Sequence, residues 1–298
     1  MDSRSRSFLP AALSAAILAV STASIFIRFA QNGSASSLTI AALRLTFAVL
    51  LIAPLALTRH WIELKRLSQA EILLAVFSGA FLAVHFAAWI TSLEYTSVAS
   101  SVVFVSTGPL WVALLSPALL KERLSRSALA GLALALAGGI VIALFDARGS
   151  LGARLSGRAM WGNFLALVGA WAVSGYLILG RKLRASMSLI PYVFLVYGAA
   201  AVMLLLTMTA AGDSPFGLAP RTYLWIFLLA ALPQVVGHSI YNWALKRLSA
   251  ALVAATTLGE PIGSAFLAYF ILQETPSSTT LFGGALILVG IYLAAKSR

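Results

Sequence analysis

The sequence predicts an all-α polytopic membrane protein, with ten transmembrane helices arranged as two inverted five-helix repeats. Three observations carry this. Apolar stretches of about 17–24 residues recur ten times along the 298-residue chain, each long enough to cross roughly 30 Å of hydrocarbon as a helix. Residues 92–140 align without a gap on residues 244–292, at an offset of 152 and with 15 identities in 49 positions, which marks an internal duplication. Lys and Arg gather in short clusters between the stretches, mostly on every second side.

Composition requires the bilayer. With 60% hydrophobic and 10% charged residues and a mean hydropathy of +0.95, the chain lacks the polar surface that would cover a soluble globule. The net charge of +12 would suggest a nucleic-acid binder in a soluble protein, but in inter-helix clusters it reads as topology, so no nucleic-acid partner is expected. The absence of cysteine excludes disulfides, thiol catalysis and cysteine-ligated metals.

The first stretch, 9–29, follows Arg4 and Arg6 as a signal peptide would. Its apolar run continues to Ile27 without an early small-residue cleavage site, so it reads as a retained helix. The second, 37–57, carries Arg44 about seven residues in. The third, 71–91, has His85 and Trp89 four apart and hence on one face. The fourth, 97–119, centres on Pro109 after Gly108, and the fifth, 127–145, holds Gly131 and Gly138. A polar Gly- and Arg-containing linker at 148–158 then separates a first repeat, 1–147, from a second, 159–298. The sixth, 160–180, carries Asn163, Trp171, Ser174 and Tyr176, and the seventh covers 188–210. The eighth, 221–243, gathers Gln234, His238, Tyr241 and Asn242 on one stripe. Glu260 and Pro261 lie mid-way along the ninth, 250–272. The tenth, 280–295, holds Gly283 and Gly290, whose seven-residue spacing repeats that of the fifth and reads as close helix packing.

Five is odd, so the second repeat must enter the membrane with reversed orientation, as in many secondary transporters. With the N-terminus inside, the inner segments hold 15 Lys and Arg and the outer loops four, Arg148, Arg154, Arg158 and Arg221. Both termini are therefore expected in the cytoplasm. Trp61, Trp161, Tyr223 and Trp225 fall near helix ends, where amphipathic rings suit the interface.

Several residues could carry work. Pro109 and Pro261 are matched by the repeat, and each should strand the carbonyl four residues earlier, Val105 and Thr257, kinking its helix near the midplane as a pivot. Arg44 and Glu260 are ionisable groups in apolar helices. Arg44 could bind a substrate carboxylate and Glu260 an ammonium group or proton, or the two could simply pair. His85, Trp89, His238, Tyr241 and Asn242 point to a cavity or to inter-helix bonding. Asn163, Trp171 and Tyr176 are further candidates for substrate contact. The GxSxG elbow, HExxH and phosphate-cradling glycine loop are all missing. No catalytic residue, metal or cofactor is expected.

Lys121-Glu122-Arg123-Leu124-Ser125 and Gln273-Glu274, each followed by a helix with a Gly-x6-Gly spacing, together with Ala42-Leu43-Arg44-Leu45, resemble the paired EamA domains of the drug/metabolite transporter superfamily. Within it the chain is most similar to the bacterial YddG-type exporters. The resemblance implies a multi-pass protein of the bacterial inner membrane, with a central cavity shaped by helices 1–4 and 6–9. It would export aromatic or neutral amino acids and related small amphipathic metabolites by alternating access. Cationic drugs or nucleotide-linked metabolites remain alternative cargoes, a passive channel is a rival reading, and the oligomeric state is left open.

Overall fold

The computed structural model describes residues 3–96, 101, 104–122, 125–145, 157–272 and 278–296. Among them there is no strand. The first half contains α1 (Ser3–Ser21), α2 (Ala23–Asn32), α3 (Ser37–Arg59), the short α4 (Trp61–Lys65), α5 (Gln69–Tyr95), α6 (Gly108–Leu119) and α7 (Arg126–Phe145). The second contains α8 (Gly157–Leu183), α9 (Leu189–Ala210), α10 (Pro220–Leu229), a π-helix (Ala230–His238) and α11 (Ser239–Ala244). It ends with α12 (Ala250–Thr256), a 3₁₀ turn (Thr257–Gly259), α13 (Glu260–Leu272) and α14 (Ser278–Lys296). The linker expected at 148–158 lies mostly outside the described residues, as do Arg123, Leu124, Gln273 and Glu274, and α8 already begins at Gly157.

Local chemistry sets the helix ends. Ser36 caps α3 by accepting from the Thr39 N–H at 3.1 Å, and Ser249 caps α12 by accepting from Leu252 at 3.3 Å. At α5 a full capping box forms, with Ser68 accepting from the Glu71 N–H and Glu71 from the Ser68 N–H. The end of α9 is a Schellman turn. Gly212, at φ +81°, donates to Thr209 while Asp213 donates to Met208, a left-handed position that glycine takes without steric cost.

Among the described residues six helices are long and apolar enough to cross a membrane: Leu9–Asn32, Ser37–Arg59, Gln69–Tyr95, Gly157–Leu183, Leu189–Ala210 and Pro220–Ala244. Gly108–Leu119, Arg126–Gly138 and Leu281–Leu293 are shorter apolar helices. Leu50, Phe77, Leu114, Leu206, Phe266 and Leu281 are exposed, which water would penalise and lipid would not. The chain is thus a multi-pass membrane protein.

The helices pack across the two halves. α5 runs along α8, α7 along α14, and α9 lies against α3 and α5. α1 packs on the π-helix and α13, while α6 packs on α8 and α12. The α7–α14 pair is held close by glycine. A Cβ at Gly138 would meet the Gly283 carbonyl at 2.4 Å, and one at Gly290 would meet the Gly131 carbonyl at 2.5 Å.

At the matched prolines the structure differs from a simple kink. The chain leaves helical form at Ser106–Thr107, and Pro109 begins the new helix α6, where its missing N–H has no intrahelical partner to lose. The counterpart is the 3₁₀ turn ahead of Pro261 in α13. Both helices are therefore interrupted rather than bent. A further interruption lies in the π-helix, where Pro233 removes an N–H from the helical ladder.

Candidate functional site

The site is built around one buried cation. Arg44 sits in the part of α3 where Ile40, Ala41, Ala42, Leu45 and Ala48 are all buried, and it is itself 1% exposed. Its Nε donates to Oε1 of Gln234 at 2.9 Å, joining α3 of the first half to the π-helix of the second. Its guanidinium carbon lies 3.9 Å from the centroid of the Phe86 ring on α5. Such a desolvated cation–π contact contributes about 2 kcal/mol, which offsets only part of what burying a charge costs. Arg44 Nη1 and Gln234 Nε2 are buried without a hydrogen-bond partner among the described residues.

Histidines and aromatics surround this pair. On α5 the four-residue spacing stacks His85 on Trp89, with centroids 5.8 Å apart and planes at 15°. His85 Nδ1 lies 2.9 Å from the Gly169 carbonyl, which can only accept, so Nδ1 carries the proton of that bond. From the second half, His238 meets the Phe86 ring edge-on at 5.5 Å and Tyr241 at 6.4 Å. Trp89 Nε1 and the Tyr241 hydroxyl are also buried without partners among the described residues.

A hydroxyl network supports the cluster from behind. Asn242 donates from Nδ2 to the hydroxyls of Tyr176 at 2.5 Å and Tyr197 at 3.3 Å. Tyr197 donates to the Gln234 carbonyl at 3.4 Å, and Ser78 and Tyr192 bond at 3.3 Å.

A register shift relates the halves. The fourth and ninth segments match at an offset of 152, but His85 and His238 match at 153, as do Ser21 and Ser174, Arg44 and Tyr197, and Trp89 and Asn242. At 153 the two halves present the same positions to the site with different chemistry. The first offers a cation and an indole, the second a phenol and an amide.

Glu260 is the first residue of α13, and its backbone carbonyl accepts from the Ser21 hydroxyl at 3.2 Å. The ion pairs among the described residues are His60–Glu63 and Arg181–Glu122, so the simple Arg44–Glu260 pair is not formed. Pro109 is buried at the start of α6, and Pro261 follows Glu260. Both mark backbone interruptions.

Two candidates lie apart from Arg44. Asn163 accepts from Thr96 Oγ1 at 2.8 Å, near the beginning of α8. Trp171 is on the exposed side of α8, edge-on to Trp111 at 5.7 Å and to Phe164 at 6.4 Å. The structure adds Phe86, Tyr192, Tyr197 and Ser78 to the set, and gives Gln234 of the polar stripe its partner in Arg44. Tyr197 could have been found by aligning the first three helices of each repeat at 153. Phe86 carries no such mark, being one apolar residue among many.

At one rim, Arg181 pairs with Glu122 at 2.6 Å and donates to the Leu245 carbonyl at 2.6 Å, while Glu122 accepts from the Ala250 N–H at 3.1 Å. This ties the end of α6 to α8 and to the first turn of α12. Nearby in the chain, Glu63 of α4 accepts from the Ser188 N–H at 2.8 Å and from its hydroxyl, capping α9. Partial burial pushes the Glu63 carboxyl up, but the Ser188 bonds and His60 outweigh it, leaving the group below the usual carboxylate range.

Comparison with known proteins bears on this arrangement. The model of the EamA-like transporter family matches twice, over residues 9–144 and 160–296. An uncharacterized transporter of Archaeoglobus fulgidus is 27% identical over 286 residues, covering 95% of each chain. A second from that organism is 25% identical, covering 80% of this chain and 78% of its own. The uncharacterized transporter YetK of Bacillus subtilis is 23% identical, covering 84% and 75%. A solved crystal structure superposes with a TM-score of 0.77 over 98% of both chains at 19% identity, a likeness of fold.

Proposed function

The chain belongs to the EamA-like transporter family, and from that premise we propose that it is a secondary transporter that exports small amphipathic metabolites by alternating access, with aromatic and neutral amino acids as the leading cargo. The observation that carries this reading is the Arg44–Gln234 bond. It joins the two halves at a buried polar cluster in which Arg44 Nη1, Gln234 Nε2 and Trp89 Nε1 have no partner among the described residues. A site at such a junction can be opened to one side or the other by moving one half against its mate.

The same reading has ten membrane helices in two inverted repeats. The duplicated family match supports this. So does the packing: α1 lies on the π-helix and α13 as α8 lies on α5 and α6, pairings that exchange when the halves are swapped. The 15-to-four charge bias supports both termini in the cytoplasm of a bacterial inner membrane. His85, Trp89, His238 and Tyr241 would face the cargo, with their rings offering apolar area and polar edges. Tyr176 and Asn242 would hold that wall. Pro109 and Pro261 would mark the points of bending.

The test is counterflow into liposomes loaded with unlabelled phenylalanine, tryptophan, methionine or threonine. Transient, saturable accumulation of the labelled amino acid is expected. Accumulation only of quaternary amines would shift the cargo to cations and the weight to Glu260, and conductance without saturation would make the protein a channel.

A further inference from the structure

We infer that the shared edge of Arg44 and Gln234 seats a single carboxylate, and that this anion is the group by which the cargo is recognised, so that monocarboxylates without an amino group are ligands too. This rests on the reading that the cluster between the halves is the substrate site. It narrows that reading from amphipathic metabolites in general to a chemical class.

The arrangement of Arg44 leaves one direction open. One guanidinium face lies over Phe86 at 3.9 Å, and the Nε edge is engaged by Gln234. Nη1 remains, buried and without a partner. Because Gln234 presents Oε1 to the guanidinium, its Nε2 sits at the same junction, and it too is buried without a partner. The two N–H donors thus belong to residues from opposite halves that one hydrogen bond already joins, and a carboxylate supplies the paired acceptors that a guanidinium edge prefers.

The polarity of the whole cluster agrees. Five buried side-chain polar atoms of the cluster lack a partner among the described residues: Arg44 Nη1, Trp89 Nε1, Gln234 Nε2, Tyr241 Oη and Asn242 Oδ1. Three can only donate and one can only accept, so the complement of the site is rich in acceptors. The charge count sets the valence. Among the described residues Arg44 makes no ion pair, and His85 has given Nδ1 to the Gly169 carbonyl. Arg184, also buried, is committed to the Asn242 and Met187 carbonyls. One uncommitted cation suits a monoanion and not a phosphate dianion.

The test is binding to the full-length transporter in lipid nanodiscs, using matched probes: L-phenylalanine, 3-phenylpropionate and 2-phenylethylamine, with hexanoate and hexylamine as an aliphatic pair. Saturable binding of the acids and none of the amines is expected. Gln234→Glu supplies a carboxylate to Arg44 from within the protein, so the fold should persist while acid binding weakens at least about tenfold, the scale of one charged hydrogen bond. Arg44→Lys keeps the charge, loses the fork and should weaken acid binding similarly. Amines binding as tightly as acids, no binding of any acid, or acid binding undiminished in both variants would overturn the assignment. Counterflow of amines but not acids would sink the carboxylate while leaving the carrier standing. Acid binding without any counterflow would support the carboxylate while removing the carrier.

Discussion

The hydroxyl of Ser174 donates across the helix interface to the carbonyl of Gly108 at 2.9 Å. Ser21 makes the same reach to the carbonyl of Glu260 at 3.2 Å. Gly108 and Glu260 each immediately precede a matched proline, so one serine from each half holds the backbone where the opposing helix restarts. Each hydroxyl hydrogen is shared with its own helix, at Ala170 and Ile17, both at 2.7 Å. The contact is close: a Cβ at Gly263 would meet Ser21 Oγ at 2.1 Å.

If these bonds hold the restart points, Ser174→Ala should lower stability by about 1 kcal/mol, the net value of a buried hydrogen bond. Thermal unfolding in nanodiscs reads this directly. An unchanged melting temperature would show that the hydroxyl is satisfied within α8 alone.

Replacing both Pro109 and Pro261 by alanine restores two backbone N–H groups and lets helix propagate through the turn at Ser106–Thr107 and the 3₁₀ segment Thr257–Gly259. Turnover in counterflow should fall while equilibrium binding of the cargo holds. Undiminished turnover would remove the pivot role from these prolines.

Gly138→Ala and Gly290→Ala each push a methyl group onto a carbonyl of the partner helix, at Gly283 and Gly131. Backbone cannot yield as a side-chain tip can, so each substitution should cost about 1–3 kcal/mol. By contrast Gly198→Ala, where a Cβ meets nothing within 4 Å, should leave the melting temperature unchanged or slightly raised. Equal effects at all three positions would contradict the packing.

Glu63 caps α9 through Ser188, and its folded-state pKa lies below the ordinary value of 4.5. A depressed carboxyl contributes stability that is present above the unfolded pKa and lost as pH falls through the folded one. The gap in melting temperature between the native protein and Glu63→Gln should therefore be full at pH 6 and shrink below about pH 4.5. A gap independent of pH would mean that packing, not the charged cap, holds α4 against α9.

The all-helical, membrane-spanning character was legible because it follows from local signals: long apolar stretches and an internal match are short-range or periodic. The site was legible only in part. Arg44, His85, Trp89 and the stripe from Gln234 to Asn242 stand out because polar groups in apolar helices are costly. Asn163 and Trp171 stand out equally, yet one bonds to Thr96 and the other turns outward. Period alone cannot tell which face of α8 meets α5.

What the sequence by itself determined was the membrane, the duplication and the chemistry available in it, because hydropathy and repetition are sums over neighbouring residues. Tertiary structure alone decided which of those groups meet. Arg44 and Gln234 are 190 residues apart and bond because α3 crosses the π-helix. Side-chain partners across helices depend on rotation and depth to within a fraction of a turn, which only packing fixes.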